Sequence, residues 1–565
     1  MRKIILFLIL TLAFLLRFWN LDSYPALNAD EAAIGYNAYS LIQTGHDEHG
    51  NFWPIHFQSF NDYKPGLYFY MVLPFVKVLG LNESAVRIPG ALLGVGTVLL
   101  VYLLSNKLFS KEKFGIWNLE FGIFASFMLA ISPWHIHFSR GGWEVNVATF
   151  LIVLGLWLFL KWSNKESHPE FISGSALLKQ VQHDKYLFFS SLVFVLSLYT
   201  YHAARIIVPL LGLGILFIYR ESVKKNLKNF LLAGLIGLVA ILPLVKDFTK
   251  SDVASRAAGV GLFADPGPLS RINEQRGEHG DFTSFPAIVL HNKALNHTLA
   301  FLKNWSEHFH GEFLFLSGDL IQRNRVPEMG EMYLQDFILL IVGMAAMVKW
   351  LKRKEIQLVL LWLLVAPTAA ALTFQSPHAL RAQNMVIPLM IISAAGMVKI
   401  VEWLNGLSKY YLKLFGYLII GLFIIWNFAR YEHMYYLHMA KEYPFSSQYG
   451  VKELVTYVGE NQNKYEKIIV TDRYDQPYIL FLFYLKYSPE KFQRDHILTP
   501  RDKFGFSTVR NFDKYVFKSV EWDVDQPKNP NSLIIGTDEE IPDEANIVKE
   551  IYGSNGYKYF QIVAN

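Results

Sequence analysis

Eleven apolar stretches recur along the chain, at residues 4–16, 86–106, 118–134, 145–162, 186–200, 203–219, 229–246, 336–350, 356–374, 382–400 and 412–429. Soluble domains do not bury so many runs of this length, so the pattern predicts a polytopic membrane protein that is mainly α-helical. Of the 565 residues 52% are hydrophobic and 15% aromatic, and the aromatic share suits belts of Trp and Tyr at the two membrane surfaces. The first stretch follows Met1-Arg2-Lys3 in the manner of a secretory signal, but Arg17-Phe18-Trp19 closes it where a small-residue cleavage site would stand. It is read as a retained span with a cytoplasmic amino terminus. Cysteine is absent, which excludes a disulfide framework and thiolate metal sites.

Lysine and arginine set the orientation. With eleven spans, Lys107 to Lys113, Lys161 to Lys185, Arg220 to Lys228, Lys349 to Lys354 and Lys409 to Lys413 all share the side of Arg2 and Lys3. That agreement requires the apolar run Gly66 to Gly80 to be an interfacial or re-entrant helix, because one more span would reverse every later loop. The extracytoplasmic side then receives 20–85, the turns near 135–144, 200–205 and 375–381, the long loop 247–335, and the tail from Tyr431. The unusual polar residues gather there. A transporter or flippase for a lipid-linked sugar is the rival from another class. It would place ionisable groups in mid-span and often an inverted repeat, and neither is evident. A non-catalytic assembly protein would leave the same acids and cations without a purpose.

The most unusual stretch of the outer face is Asn28 to Tyr70. Asn28 with Glu31 has the spacing of a capping box, so a helix is expected from about Ala29 to Thr44, with Gly45 as its stop. Ile34, Ala38, Leu41 and Ile42 recur at helical spacing, which predicts a helix lying along the bilayer interface. Asp30 and Glu31 are also what any first helical turn favours, and Lys64 is also what any snorkelling interface lysine looks like. Set together on one face, a carboxylate able to take a proton and a lysine able to hold an anion are the minimum parts for moving a group off a phosphate.

An acidic pair directly after the first span, then Lys64-Pro65-Gly66-Leu67-Tyr68, then Ala85-Val86-Arg87-Ile88-Pro89 opening the next span, resembles the membrane glycosyltransferases of the GT-C fold. The protein O-mannosyltransferases and the lipid A aminoarabinose transferases are the families most similar. The resemblance covers roughly the first two hundred residues, with patches up to Arg381. It implies transfer of a sugar from a polyprenyl-phosphate carrier to an acceptor on the outer face, with inversion. Asp30, and with it Glu31 and Glu144, would supply the catalytic carboxylates, while Lys64, Arg205, His378 and Arg381 would bind the donor phosphate. Partners would be the lipid-linked donor, membrane lipid, and an acceptor that is protein, lipid or polysaccharide; nothing points to nucleic acid. Neither a cofactor nor a metal is implied, although Asp30, Glu31 and Glu144 have the oxygen ligands a divalent ion takes.

The remaining constellations are weaker. His135 and His137, two apart, would share one side of an extended strand, but no third metal ligand of comparable quality is adjacent. Glu144 sits at the mouth of a span, where an ionisable residue is costly unless wet or paired. Arg205 in Tyr199-Thr200-Tyr201-His202-Ala203-Ala204-Arg205 suits a phosphate or an aromatic belt equally. Ser376-Pro377-His378-Ala379-Leu380-Arg381 looks like a segment of bacterial relatives in which a cation lies near the lipid headgroup. In the long loop, 254–280 is expected to be irregular and mobile, and 294–309 helical along the membrane. Phe313 to Asp319, with Arg323 and Arg325, resembles a segment of the bacterial members and is expected to be a structural turn, the alternative being a lid over the donor headgroup. The transmembrane domain should occupy 1–430 and a small extracytoplasmic α/β domain 431–565, with a helix carrying Val451, Leu454, Val455 and Val458 and strands at 468–470, 533–535 and 560–563.

Overall fold

A computed structural model describes residues 2–60, 62–109, 121–163, 174–249, 261–446, 448–502 and 507–565. They form two compact units, Met1–Trp19 with Gly90–Tyr431, and Asn20–Pro89 with Glu432–Asn565. The first unit ends at Tyr431. The outer loop after the first span, expected with the membrane domain, instead shares a unit with the tail.

The first unit is a helical bundle. Helices lie over all eleven expected stretches, the amino-terminal part of 118–134 lying outside the described residues. Among the described residues, six are long and apolar enough to cross a bilayer: Glu83–Leu108, Glu144–Ser163, Leu227–Phe248, Lys354–Ala371, Ala379–Gly406 and Tyr410–Glu442. Phe121–Ile131 and Pro133–Arg140, bent by 57°, make a seventh if they count as one span. The chain is thus a multi-pass membrane protein, but eleven full spans are not established. Ala204–Ile218 and Leu334–Val348 have 15 residues each, about 22 Å of helix against a hydrocarbon core of about 30 Å.

Small residues let these helices touch. A Cβ on Gly343 would lie 2.1 Å from the Ile392 carbonyl oxygen, and one on Gly396 would lie 2.0 Å from that of Leu339. The backbones of Leu334–Val348 and Val386–Gly406 therefore meet directly, as glycine allows between membrane helices. Arg17 at the end of the first helix and Arg140 at the end of Pro133–Arg140 are both buried in the bundle. Arg17 donates to the carbonyls of Ala13 and Ala130 and lies 2.6 Å from His135 Nδ1, and Arg140 donates to those of Leu16 and Trp19.

In the second unit, the Ala29–Thr44 helix is the buried centre. Its capping box and the left-handed Gly45 stop (φ 74°) are present as expected. Its position is not as expected: Ala32, Ala33, Ile34, Tyr36 and Ala38 are wholly buried, so protein covers every side of its middle turns. Its partners include Leu67–Leu79 and the tail helix Pro477–Tyr484. Leu67–Leu79 has thirteen residues, about 20 Å of helix, too short to cross a bilayer alone. Between them, β1 (His56–Ser59) and β2 (Asp62–Pro65) pair antiparallel, with Phe57 opposite Lys64.

The tail is α/β. β3 (Lys467–Val470), β4 (Asn511–Phe512), β5 (Tyr515–Phe517), β6 (Ser532–Gly536), β7 (Ile547–Tyr552) and β8 (Lys558–Ala564) form one sheet in the order β4-β5-β3-β6-β8-β7. β3 runs parallel to β5 and β6, and the other pairs are antiparallel. The three expected strands are β3, β6 and β8, and Val451–Asn461 buries the four residues expected of it.

Candidate active site

Asp30 and Lys64 meet. The Ala29–Thr44 helix presents Asp30 in its first turn, and β2 presents Lys64 three residues before the next helix begins. Lys64 Nζ lies 2.5 Å from Asp30 Oδ1 and 5.1 Å from the centre of the Phe60 ring. Local sequence fixes the lysine. Gly66 donates its N–H to the Ile55 carbonyl at 2.9 Å, and a Cβ there would come within 2.7 Å of that oxygen, so Lys-Pro-Gly closes the hairpin only with glycine.

Glu31 has a different task. Arg87 Nε and Nη2 grip its two carboxylate oxygens at 2.7 and 2.8 Å, while Arg87 Nη1 donates to the carbonyls of Leu21 and Pro25. The Glu31 side chain is 1% exposed, that of Asp30 24%. Of the adjacent acids, then, Asp30 can meet a substrate, and Glu31 ties the preceding loop to the helix.

Glu48, which no motif announces, belongs to this cluster. Its N–H donates to Asn37 Oδ1 at 2.9 Å, and Asn37 Nδ2 donates to its Oε1 at 3.2 Å. Burial pushes the Glu48 carboxyl up to about 8, opposed by the Asn37 hydrogen bond and by the charge of Lys64. Next to it, Asp47 accepts the N–H groups of His49 and Asn51, and burial raises its carboxyl too. The only signal in the sequence was the run His46-Asp47-Glu48-His49, which reads as an ordinary solvated turn.

The other expected residues lie in the helical unit. His378 and Arg381 flank a buried acid that sequence reasoning assigned to a turn. Asp319 accepts the N–H groups of Ile321 and Ala379 at 2.8 and 2.6 Å and the Asn324 side chain at 2.9 Å, and its Oδ2 lies 3.5 Å from His378 Nδ1. Glu331 Oε1 in turn accepts the Asp319 N–H at 3.1 Å. Burial raises both carboxyls, Glu331 well above its ordinary value because Asp319 adds to the effect. His308 accepts the His378 N–H through Nε2, and burial lowers its imidazole to about 4, consistent with a neutral acceptor ring. Arg381 donates to Thr373 Oγ1 at 2.7 Å. Arg205 donates to the Leu198 carbonyl, lies 3.0 Å from His202 Nδ1 and stacks 4.6 Å above Phe248. Glu144 starts the Glu144–Ser163 helix and is buried.

His135 and His137 stand on a helix and not an extended strand, so a separation of two sends them to different partners: Arg17 for one, the Arg323 carbonyl for the other. Among the described residues, no three His, Cys, Asp or Glu side chains are grouped to hold a metal ion. In the long loop the structure replaces the expected irregular segment with a helix, Gly267–Glu278, residues 254–260 lying outside the description. Lys293–Glu307 is helical with Leu295, Leu299 and Leu302 exposed along one side.

Residues 7–241 match the sequence profile described as dolichyl-phosphate-mannose-protein mannosyltransferase, a match that stops short of half the chain. No curated protein matched the chain. Among solved structures, ArnT from Cupriavidus metallidurans in the apo state superposes with a TM-score of 0.52 at 11% identity, over 98% of this chain and 97% of that one. Its form bound to undecaprenyl phosphate gives 0.51 at 12%, over 99% and 97%. The archaeal oligosaccharyltransferase AglB from Archaeoglobus fulgidus gives 0.49 at 15% over 85% of this chain, which spans 63% of its length. The chain is similar to GT-C-fold membrane glycosyltransferases, as its motifs implied.

Proposed function

We propose that a chain with this fold, and with an amino-terminal part similar to the lipid-phosphate-dependent mannosyltransferases, is itself an integral membrane glycosyltransferase that takes a sugar from a polyprenyl-phosphate donor. The observation that supports it most is the ion pair of Asp30 and Lys64, partly open, buried at the lysine, and set in the segment that carries the resemblance. One ArnT structure binds undecaprenyl phosphate, a carrier of the class proposed here.

The pair is suited to a single displacement on the extracytoplasmic face. As the donor phosphate arrives, Lys64 exchanges its partner for the phosphate oxygen, and the Asp30 carboxylate is released to face the acceptor. Asp30 takes the proton of the acceptor hydroxyl while that oxygen bonds to the anomeric carbon. The bond from that carbon to the phosphate oxygen breaks, its electrons stay on the lipid phosphate, and Lys64 stabilises the growing charge. Attack opposite the leaving group inverts the sugar. Arg205, His378 and Arg381 are proposed as further ligands of donor phosphate on the sequence resemblance, and Glu144 as a further acid. The sugar and the acceptor follow from none of these residues.

The test uses purified full-length protein and labelled polyprenyl-phosphate sugars, with release of the lipid phosphate as readout. Acceptor-dependent release that is lost in Asp30→Asn is expected. Movement of intact labelled lipid across a vesicle membrane without release would overturn the reading in favour of transport.

A further inference from the structure

A cleft of about 610 Å³ opens in the second unit, walled by the loop before the Asp30 helix, by Glu83, by the tail helix Val451–Asn461 and by β7. Its size is that of a small-molecule site. None of the residues singled out for sugar transfer lines it. The lining combines hydroxyls, tyrosine rings and acids in excess. Lys452 Nζ lies 2.6 Å from Glu83 and Lys549 Nζ 2.9 Å from Glu453, so both lysines of the cleft are neutralised. Asp22 and Glu460 remain, and neither makes an ion pair among the described residues.

That chemistry selects a ligand class. A phosphorylated or sulfated ligand meets two uncompensated carboxylates and no spare cation. A lipid chain would lie against the charged heads of Asp22, Glu83, Lys452, Glu453, Glu460 and Lys549, which hydrocarbon cannot solvate. Sugar hydroxyls, in contrast, are donors for carboxylates and partners for Thr456 and Ser554, while Tyr457 and Tyr484 offer apolar ring faces with polar tips. The cleft is also joined to the candidate active site through Gln448. This residue lines the cleft, is 5% exposed and is held with φ at 52°. Its Oε1 accepts the Ala29 N–H at 2.6 Å, one residue from Asp30, and its Nε2 donates to the Asp475 carbonyl at 2.5 Å. The opposite wall is tied to the same helix, since Pro25 and Ala26 line the cleft and accept from the Arg87 that grips Glu31.

We infer that this cleft is a binding site for an unphosphorylated glycan, and that it holds the acceptor's sugar chain beside the helix that carries Asp30. The second clause rests on the proposed transferase reading; the first does not.

Saturation-transfer NMR on the full-length protein in detergent tests it, with mannotetraose, maltotetraose and N-acetylchitotetraose as separate probes. A lysine-rich peptide serves as the rival ligand, and undecaprenyl phosphate binding is measured on the same samples. At least one tetrasaccharide should give a signal that Thr456→Trp abolishes by filling the cleft. Glu460→Lys, on an exposed position, should weaken it about tenfold or more, the cost of losing a charge-assisted hydrogen bond. Both variants should bind undecaprenyl phosphate as before. If the carrier binds but no tetrasaccharide does, the glycan site is overturned and the donor reading stands. Sugar signals that survive both variants overturn it too, as does a Thr456-sensitive signal from the peptide alone. Sugar signals sensitive to both variants without carrier binding would uphold the glycan site and count against the donor reading.

Discussion

At the scale of single residues, adjacent acids with different surroundings should respond differently. Asp30→Asn keeps the shape and removes the base, and turnover should fall by roughly 10²–10⁴-fold with donor binding retained, as read from initial rates and carrier affinity. Glu31→Ala should instead act on folding. It leaves the Arg87 guanidinium buried without its carboxylate, a loss of about 3–5 kcal/mol, visible as a lowered Tm. Lys64→Ala should lower the rate at saturating donor, and Lys64→Arg should restore part of it, because a planar guanidinium keeps the charge but not the geometry. Glu48 gives a pH signature. Between its ordinary value of 4.5 and about 8, the folded chain holds a proton that the unfolded chain has released. Stability should therefore fall as pH rises through that window, by about 1.4 kcal/mol per pH unit, and Glu48→Gln should lack this slope in thermal melts. Asp30 and Lys64 were legible because a helix cap and a Lys-Pro-Gly corner are local patterns. Glu48 and Asp319 were not, since an acid's burial depends on what folds over it, and neither has a nearby motif that announces a partner.

At the scale of elements, the Ala29–Thr44 helix shows where reading from sequence succeeds and stops. Its start, cap and stop are set by residues within one turn of each end, and the structure repeats them. Its hydrophobic periodicity suggested one lipid-facing side, yet it is enclosed, because Pro477–Tyr484, more than four hundred positions further on, covers what Leu67–Leu79 leaves open. Gly35 records that enclosure. A Cβ there would fall 2.5 Å from the Phe483 ring and 2.7 Å from a Val86 methyl. Gly35→Ala should overpack the contact by about 1–3 kcal/mol, whereas Asn28→Ala should cost about 0.5–2 kcal/mol through the cap alone. Chemical denaturation of the purified variants would rank them.

For the whole molecule, hydropathy and charge distribution speak to different things, the position of helices and their orientation. Apolar runs located the helices, but 15-residue elements such as Leu334–Val348 show that a run does not fix how much bilayer its helix crosses. The lysine-rich loops predict an amino terminus inside and a tail outside. Reporter fusions after Lys224 and after Tyr443 should give opposite signals; equal signals would rule out that arrangement. The division of the chain was the least legible feature, since residues 20–89 and 432–565 build one unit with all of 90–431 between them. This has a bearing on how the protein is made. At about 5–20 residues/s, the final segment leaves the ribosome some tens of seconds after the loop that carries Asp30 and Lys64. Until then the Ala29–Thr44 helix lacks the cover that Pro477–Tyr484 supplies, and part of its apolar surface is open. Arrival of the last strands completes the unit, so a chain broken off during synthesis would keep its helical bundle and lack part of the cover of the helix that carries Asp30.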